Sequence, residues 1–218
     1  MKPKISKEVQ ALLVKNNQGI KLDIGGGGNP QPGFINIDYR AIKGKVDIVA
    51  NLEQFPWPLP DDSVSLAIAS HVLEHITPHG GDTRTAQLIK LLLKKKIVSQ
   101  KEIDEWVGEI EPGPLFMRFM DEIWRILKPH GQFMIVVPYA MSSGYAQDPT
   151  HVNMINETTM SYFDPMEPRA NGILWGIYKP KPWAIEVNVW DVNGNMEIVL
   201  RKRPVKVDEK YEYAKPTK

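Results

Sequence analysis

The chain has 218 residues and a formal net charge of +1, with 42% hydrophobic and 24% charged residues. That balance suits one soluble domain with a real core and supplies no global field that would draw it onto nucleic acid or a membrane surface. The absence of cysteine excludes disulfides, thiolate metal sites and thiol nucleophiles; the opening residues are too polar for a signal peptide, and no run approaches the ~18 apolar residues of a membrane span. A cytoplasmic setting is expected.

Val9, Leu12 and Leu13 space a short amphipathic helix over 6–17, closed near Gly19. Strands are predicted over 20–24, 34–37 and 46–50, each bounded by turn residues. The segment 55–62, FPWPLPDD, carries three prolines and must be a loop. A further apolar run, 64–70, is followed by a helix opening at His71 and ending before Pro78. Residues 79–113 change in composition to a lysine-rich, helix-periodic stretch with Ser99 and Glu102 spaced as a capping box, and read as a helical insertion within a single domain spanning 1–218. Pro114 opens the next helix, which carries Phe116, Phe119, Met120, Ile123, Ile126 and Leu127 on one face until Lys128–Gly131 stops it. A buried strand follows at 132–137, then a long loop over 138–156, a length usually tied to function. Two alternating runs, 183–190 and 196–200, flank Asn193-Gly194 and predict an antiparallel hairpin. Strands alternating with helices and then a terminal hairpin imply an α/β sheet, mostly parallel with an antiparallel edge. Ligands of such sheets bind beyond the carboxyl ends of the strands.

Residues 22–38, LDIGGGGNPQPGFINID, set four consecutive glycines between two carboxylates. As a dinucleotide fingerprint the stretch fails, because Pro30 stands where the third glycine belongs and no phosphate-cradling helix can start within NPQPG. A ligand without a pyrophosphate needs no such helix. Glycines 25 to 28 would still admit an adenosine-bearing group close to the backbone. Asp23 could meet a cationic amino group, and Asp38 could accept both hydroxyls of a ribose.

Three segments in order, LDIGGGGNPQPGFINIDYR, VDIVANLEQFPWPLPDDSVSLAIASHVLEHI and FMDEIWRILKPHGQFMIVVP, resemble class I S-adenosylmethionine-dependent methyltransferases. The resemblance is to a small branch whose glycine loop runs directly into a Pro-Gly-aromatic-x-Asn-x-Asp second strand. It covers about 20–165 outside the insertion, and it implies a Rossmann-like methyltransferase sheet with a reduced first helix. It also implies S-adenosylmethionine as cofactor. Asp23, Gly25, Gly26 and Gly27 would line the methionine end, Asp38 the ribose, and Tyr39 the adenine face. Asn51 and Leu52 would reach the adenine edge, with Ser70 and His71 beside the methyl group. Asn51 stands where the family more often has aspartate.

HVLEH, residues 71–75, matches H-x-x-E-H. On a helix His71 and His75 could share a metal with Glu74 as base, but this segment directly follows a strand and is short. The region also resembles the Glu-x-x-Glu-His segment with which some quinone-pathway O-methyltransferases bind a divalent metal, an alternative left open although His71 stands for the first acid, and no metal ligand is assigned. DPTH, residues 148–151, lies after the fifth strand of the parallel set, and Asp148 and His151 are candidates for the acceptor side. His151 is the first choice as general base for a hydroxyl acceptor, with His75 next. Tyr139 is read as a pocket wall. The lysines of the insertion are interleaved with acids and read as a solvated helix face, poised as a lid or acceptor-selecting cap. Hydroxyl methylation of a small molecule or glycan is preferred, by a monomer or homodimer. RNA methylation and a non-catalytic protein that binds S-adenosylmethionine are the alternatives.

Overall fold

The computed structural model describes residues 4–5, 7–15, 18–77, 91–99, 101, 114–167, 172–190 and 194–204. Strand β1 (Lys4–Ile5) and helix α1 (Lys7–Lys15) lead into β2 (Ile20–Ile24), β3 (Ile35–Asp38), β4 (Ile48–Val49) and β5 (Val64–Ser70). After a short 3-10 turn at Leu73–His75 come α2 (Leu115–Ile126), β6 (Leu127–Pro138), α3 (Ser143–Ala146), a second 3-10 turn at Thr159–Tyr162, α4 (Ile173–Tyr178) and the hairpin β7 (Trp183–Trp190) and β8 (Asn195–Lys202).

These strands form one sheet in the order β1-β4-β3-β2-β5-β6-β8-β7. Strands β4, β3, β2, β5 and β6 run parallel, whereas β1 pairs antiparallel with β4, and β8 antiparallel with both β6 and β7. This is the expected Rossmann-like sheet with an antiparallel C-terminal hairpin. The chain leaves β2 to build β3 on one side and returns to build β5 on the other, so the switch point lies between β2 and β5. The carboxyl ends of these two strands therefore diverge into loops that enclose a crevice. No helix connects β2 to β3: residues 25–34 are turns and bends, the reduced first helix that the proline-rich sequence requires.

The central strands bury one apolar face, whereas the other carries Lys21, Asp23, Asn36, Gln132 and Met134, of which Lys21, Gln132 and Met134 are exposed. Leu22, Ile24, Ile37, Val64, Ala67, Phe133 and Val137 are all fully buried. Helix α2 buries Leu115, Phe119, Met120, Ile123 and Ile126, a stripe of helical period facing the core. Its last residue passes straight into β6. Val64 pairs with Leu127 but Leu66 with Gln132, so Lys128–Gly131 is an excursion inside the strand. The predicted stop signal is real, yet the strand resumes around it.

The proline loop is fixed from within. Buried Glu122 of α2 accepts the Trp57 N–H at 2.6 Å and is itself held by Arg125, whose guanidinium also bonds the Leu59 carbonyl and Asp61.

Several expectations shift. The helix predicted from His71 is only the 3-10 turn 73–75, because His71 takes a left-handed φ of 55° and directs the chain out of the strand. The long loop after β6 contains the short α3, whose Tyr145 amide donates to the Ser142 hydroxyl that caps it. Strand β8 extends beyond Leu200 to Lys202. Of the insertion 79–113 only 91–99 and 101 are described, helical over 91–94; Glu102 of the expected capping box, Asn193 of the hairpin turn and the tail from 205 lie outside the described residues. Among the described residues no helix is long and apolar enough to cross a membrane.

Candidate functional site

At the carboxyl ends of β2, β3 and β5 lies a cleft of about 520 Å³. Six of the residues assigned to cofactor binding border it: Gly25, Asp38, Tyr39, Asn51, Leu52 and His71. His75 and Thr150 close the far wall.

The near wall is backbone. Gly25, at φ 73°, follows β2 directly and donates its N–H to the Ile37 carbonyl at 2.8 Å, which ties the glycine loop to β3. A Cβ there would lie 2.6 Å from Val72 Cγ2, so only glycine lets the loop pass under the HVLEH segment. Gly26 is equally constrained, since a Cβ would sit 2.5 Å from Asp23 Oδ2 and 2.9 Å from Asn36 Oδ1. Gly28 faces open space and carries no such restriction.

Asp23 does not border the cleft. It is buried beneath the glycine loop, where Oδ2 accepts the Gln31 N–H at 2.7 Å. Burial raises its pKa; the Gln31 amide opposes that shift and the nearby Asp38 charge adds to it. Gly26, Gly27 and Ser70 also stand outside the cleft lining, Ser70 exposed at the end of β5.

Asp38 is nearly inaccessible at its base and fully engaged. Its Oδ2 accepts the Gly27 N–H at 3.1 Å, and its Oδ1 accepts the Arg40 N–H at 2.8 Å and Arg40 Nε at 3.1 Å. Arg40 therefore lies across the carboxylate and against the Tyr39 ring, 5.4 Å from its centroid. The sequence reading missed Arg40; its only local signal is an arginine two residues after a strand-end acid. Asn51 caps its own turn by accepting the Glu53 N–H at 3.0 Å, and Glu53 accepts both the amide and the hydroxyl of Thr77, which draws the 51–53 loop to the end of HVLEH.

The acceptor-side candidates come together through the loop after β6. The Val152 and Asn153 amides donate to the Glu74 carbonyl, and the Asn153 side chain donates to the Leu73 and Ile76 carbonyls. This stitching places His151 4.7 Å from His75, centroid to centroid. The His151 ring is mostly buried, Nδ1 donating to the Tyr145 carbonyl at 2.9 Å and Nε2 facing Asp148 Oδ2 at 3.7 Å and Glu74 Oε1 at 4.0 Å. His75 is exposed and bonds Thr150 Oγ1 at 3.0 Å, which in turn donates to Asp148 Oδ1 at 2.7 Å. The Thr150 hydroxyl and amide hold the Asp148 pKa below the usual carboxylate value. Glu74, not assigned a role from sequence, is the most enclosed group here, with His71 Nδ1 3.2 Å from its Oε1. Tyr139 stacks on Trp190 at 5.5 Å at the rim of the sheet, away from the cleft lining.

No family model matches the chain, and no curated protein matches it by sequence. By fold it is similar to a SAM-dependent methyltransferase from Aquifex aeolicus (12% identity, 89% of this chain and 88% of that one, TM-score 0.43). It is likewise similar to an S-adenosylmethionine-dependent methyltransferase from Mesorhizobium loti (13% identity, 90% and 98%, TM-score 0.40). A third similar structure is phosphoethanolamine N-methyltransferase 1 of Haemonchus contortus in complex with phosphoethanolamine and S-adenosylhomocysteine (10% identity, 89% and 41%, TM-score 0.47).

Proposed function

We propose that this chain binds S-adenosylmethionine in the cleft beside β2 and β3 and transfers its methyl group to a hydroxyl of a small molecule or glycan. The observation that carries the reading is the pairing of side-chain-free backbone at Gly25 with the Asp38 carboxylate across one cleft, beyond the carboxyl ends of parallel strands. The residues fit the cofactor. Asp38 can accept two ribose hydroxyls once Arg40 swings aside, and Tyr39, Asn51 and Leu52 line the region for adenine. Asp23 beneath the glycine loop supplies negative charge toward the methionine amino group, and His71, which follows β5 and borders the cleft, stands beside the reacting methyl.

The bound cofactor supplies a methyl group activated by a sulfonium. The chain's part is to align an acceptor oxygen with it and to exclude water. A proton acceptor for the hydroxyl comes from the cluster His75, His151 and Asp148 on the opposite wall. Residues 79–113 are assigned to acceptor selection; their described part exposes Leu91 and Ile97. Deleting 80–112 should leave cofactor affinity intact and abolish turnover, and equal loss of both would contradict that assignment.

Calorimetric titration with S-adenosylmethionine and its demethylated product tests the cofactor claim. Mass detection of methylated products across acceptor classes tests the transfer. A second reading, a protein that binds the nucleoside without transferring methyl, draws on Arg40: an ion pair across Asp38 is what a site kept shut would show. Tight nucleoside binding with no methylated product in any class would favour it. RNA as acceptor would instead appear as a steep salt dependence of acceptor binding.

A further inference from the structure

We propose that Glu74, His75 and His151 form a binding site for one divalent transition-metal ion of the zinc type, on the acceptor wall of the cleft. One ligand atom from each residue lies within 4.8 Å of the other two. Tetrahedral coordination at bonds of about 2.1 Å brings ligand atoms to roughly 3.4 Å from one another, so the three need only close slightly on an ion.

Two independent observations call for a cation there. Glu74 is wholly buried, and its Oε2 has no hydrogen-bond partner among the described residues. A carboxylate oxygen in that position carries the full cost of desolvation unless something positive meets it. His151 supplies the second. Because a carbonyl only accepts, its Nδ1 must be the donor to Tyr145, which leaves Nε2 as the coordinating nitrogen of the neutral ring. That nitrogen lies 4.0 Å from Glu74 Oε1 and 3.7 Å from Asp148 Oδ2, too far for a hydrogen bond to either, so its lone pair is open to an ion that the Glu74 carboxylate would also meet.

Outer contacts complete the pattern. A backbone carbonyl fixes His151, and the Thr150–Asp148 pair fixes His75, the arrangement by which ligating imidazoles are oriented. Two imidazoles with one carboxylate select a zinc-type cation over magnesium or calcium, which prefer all-oxygen sites. His71 is not part of the set, so this is a different site from the helical pair that the H-x-x-E-H spacing suggests. If the methyl-transfer reading holds, on which this last point rests, the ion would lower the pKa of an acceptor hydroxyl bound to it, and Asp148, the member of the cluster outside the ligand set, would accept its proton in place of the coordinated histidines.

The full chain, free of any tag and treated with chelator, is titrated with Zn²⁺ by calorimetry and with Co²⁺ by visible absorption. One ion per chain is expected. His75→Ala and His151→Ala should each weaken binding at least tenfold, and His130→Asn, at an exposed position within the Lys128–Gly131 excursion, should not change it. Wild-type protein that takes up no ion, or unchanged affinity in both histidine variants, would overturn the site. Since His75 is exposed, its variant tests the ligand set even if loss of the mostly buried His151 impairs folding. Nucleoside titration is read separately: ion binding without nucleoside binding would defeat the methyl-transfer reading and leave the metal site standing.

Discussion

Arg40 lies across Asp38, with Nε 3.1 Å from Oδ1 and Nη2 3.3 Å from Oδ2. Together with the amides of Gly27 and Arg40, this fills both carboxylate oxygens with donors before any ligand arrives. Ribose hydroxyls can replace the half-exposed guanidinium but not the two backbone amides, which hold the carboxylate in place. Asp38→Ala should therefore weaken S-adenosylmethionine binding at least tenfold, since hydroxyl bonds to a charged acceptor are among the stronger ones. Arg40→Ala should tighten it by about two- to fivefold, the range set by exposed ion pairs. Calorimetry on both variants decides; weaker binding in Arg40→Ala would make the arginine a ligand contact instead of a competitor.

The glycine loop separates steric need from mere composition. Gly25→Ala places a methyl 2.6 Å from Val72 on a left-handed backbone, and should cost about 1–2 kcal/mol of stability as well as most cofactor affinity. Gly28→Ala meets nothing and should fall within about 0.5 kcal/mol of the parent, with affinity retained. Thermal melts and titrations of the pair provide the comparison.

Asp23 gives a pH signature. Burial raises its folded pKa above the unfolded value of 3.8, so the unfolded state releases its proton first. Its contribution to stability is therefore greatest below about pH 4 and falls as pH rises through the folded pKa. Asn keeps an acceptor for the Gln31 amide but has no charge to bury. The melting temperature of Asp23→Asn minus that of the parent should grow between about pH 3.5 and pH 7, while nucleoside affinity falls. A difference that does not change with pH would mean that the carboxylate carries no folded-state penalty.

Glu122 anchors the proline loop through the Trp57 amide and Arg125, and the Arg125 pKa is driven upward chiefly by its bond to Glu122. Glu122→Ala would leave the Trp57 amide without its acceptor and Arg125 with only Asp61 and the Leu59 and Trp57 carbonyls, and should cost about 2–3 kcal/mol in denaturant unfolding. A loss below about 1 kcal/mol would assign the loop's position to the packing of Trp57 on Phe119, whose rings lie 5.6 Å apart.

Much of the sheet was legible because strand signals are local. Ile20–Ile24, Val64–Ser70 and Trp183–Trp190 begin and end as their apolar runs and turn residues dictate. The missing first helix was legible for the same reason, since prolines at 30 and 32 forbid it. The short strand β1 was missed because two residues carry no period, and it exists only by pairing with β4. The 3-10 turn at 73–75 was read as a helix because helical spacing cannot report the left-handed step at His71.

By itself the sequence determined which residues stand at strand ends: Gly25 and Asp38 fall there by chain-local rules of turn and extension, whatever the rest of the fold does. Only the tertiary structure decided that HVLEH and DPTH, about 75 residues apart, share one wall, and that Arg40 covers Asp38. Backbone hydrogen bonds from Val152 and Asn153 to the Glu74 carbonyl make the first of these contacts. Such bonds pair main-chain groups that every residue possesses, so no side-chain pattern could announce them.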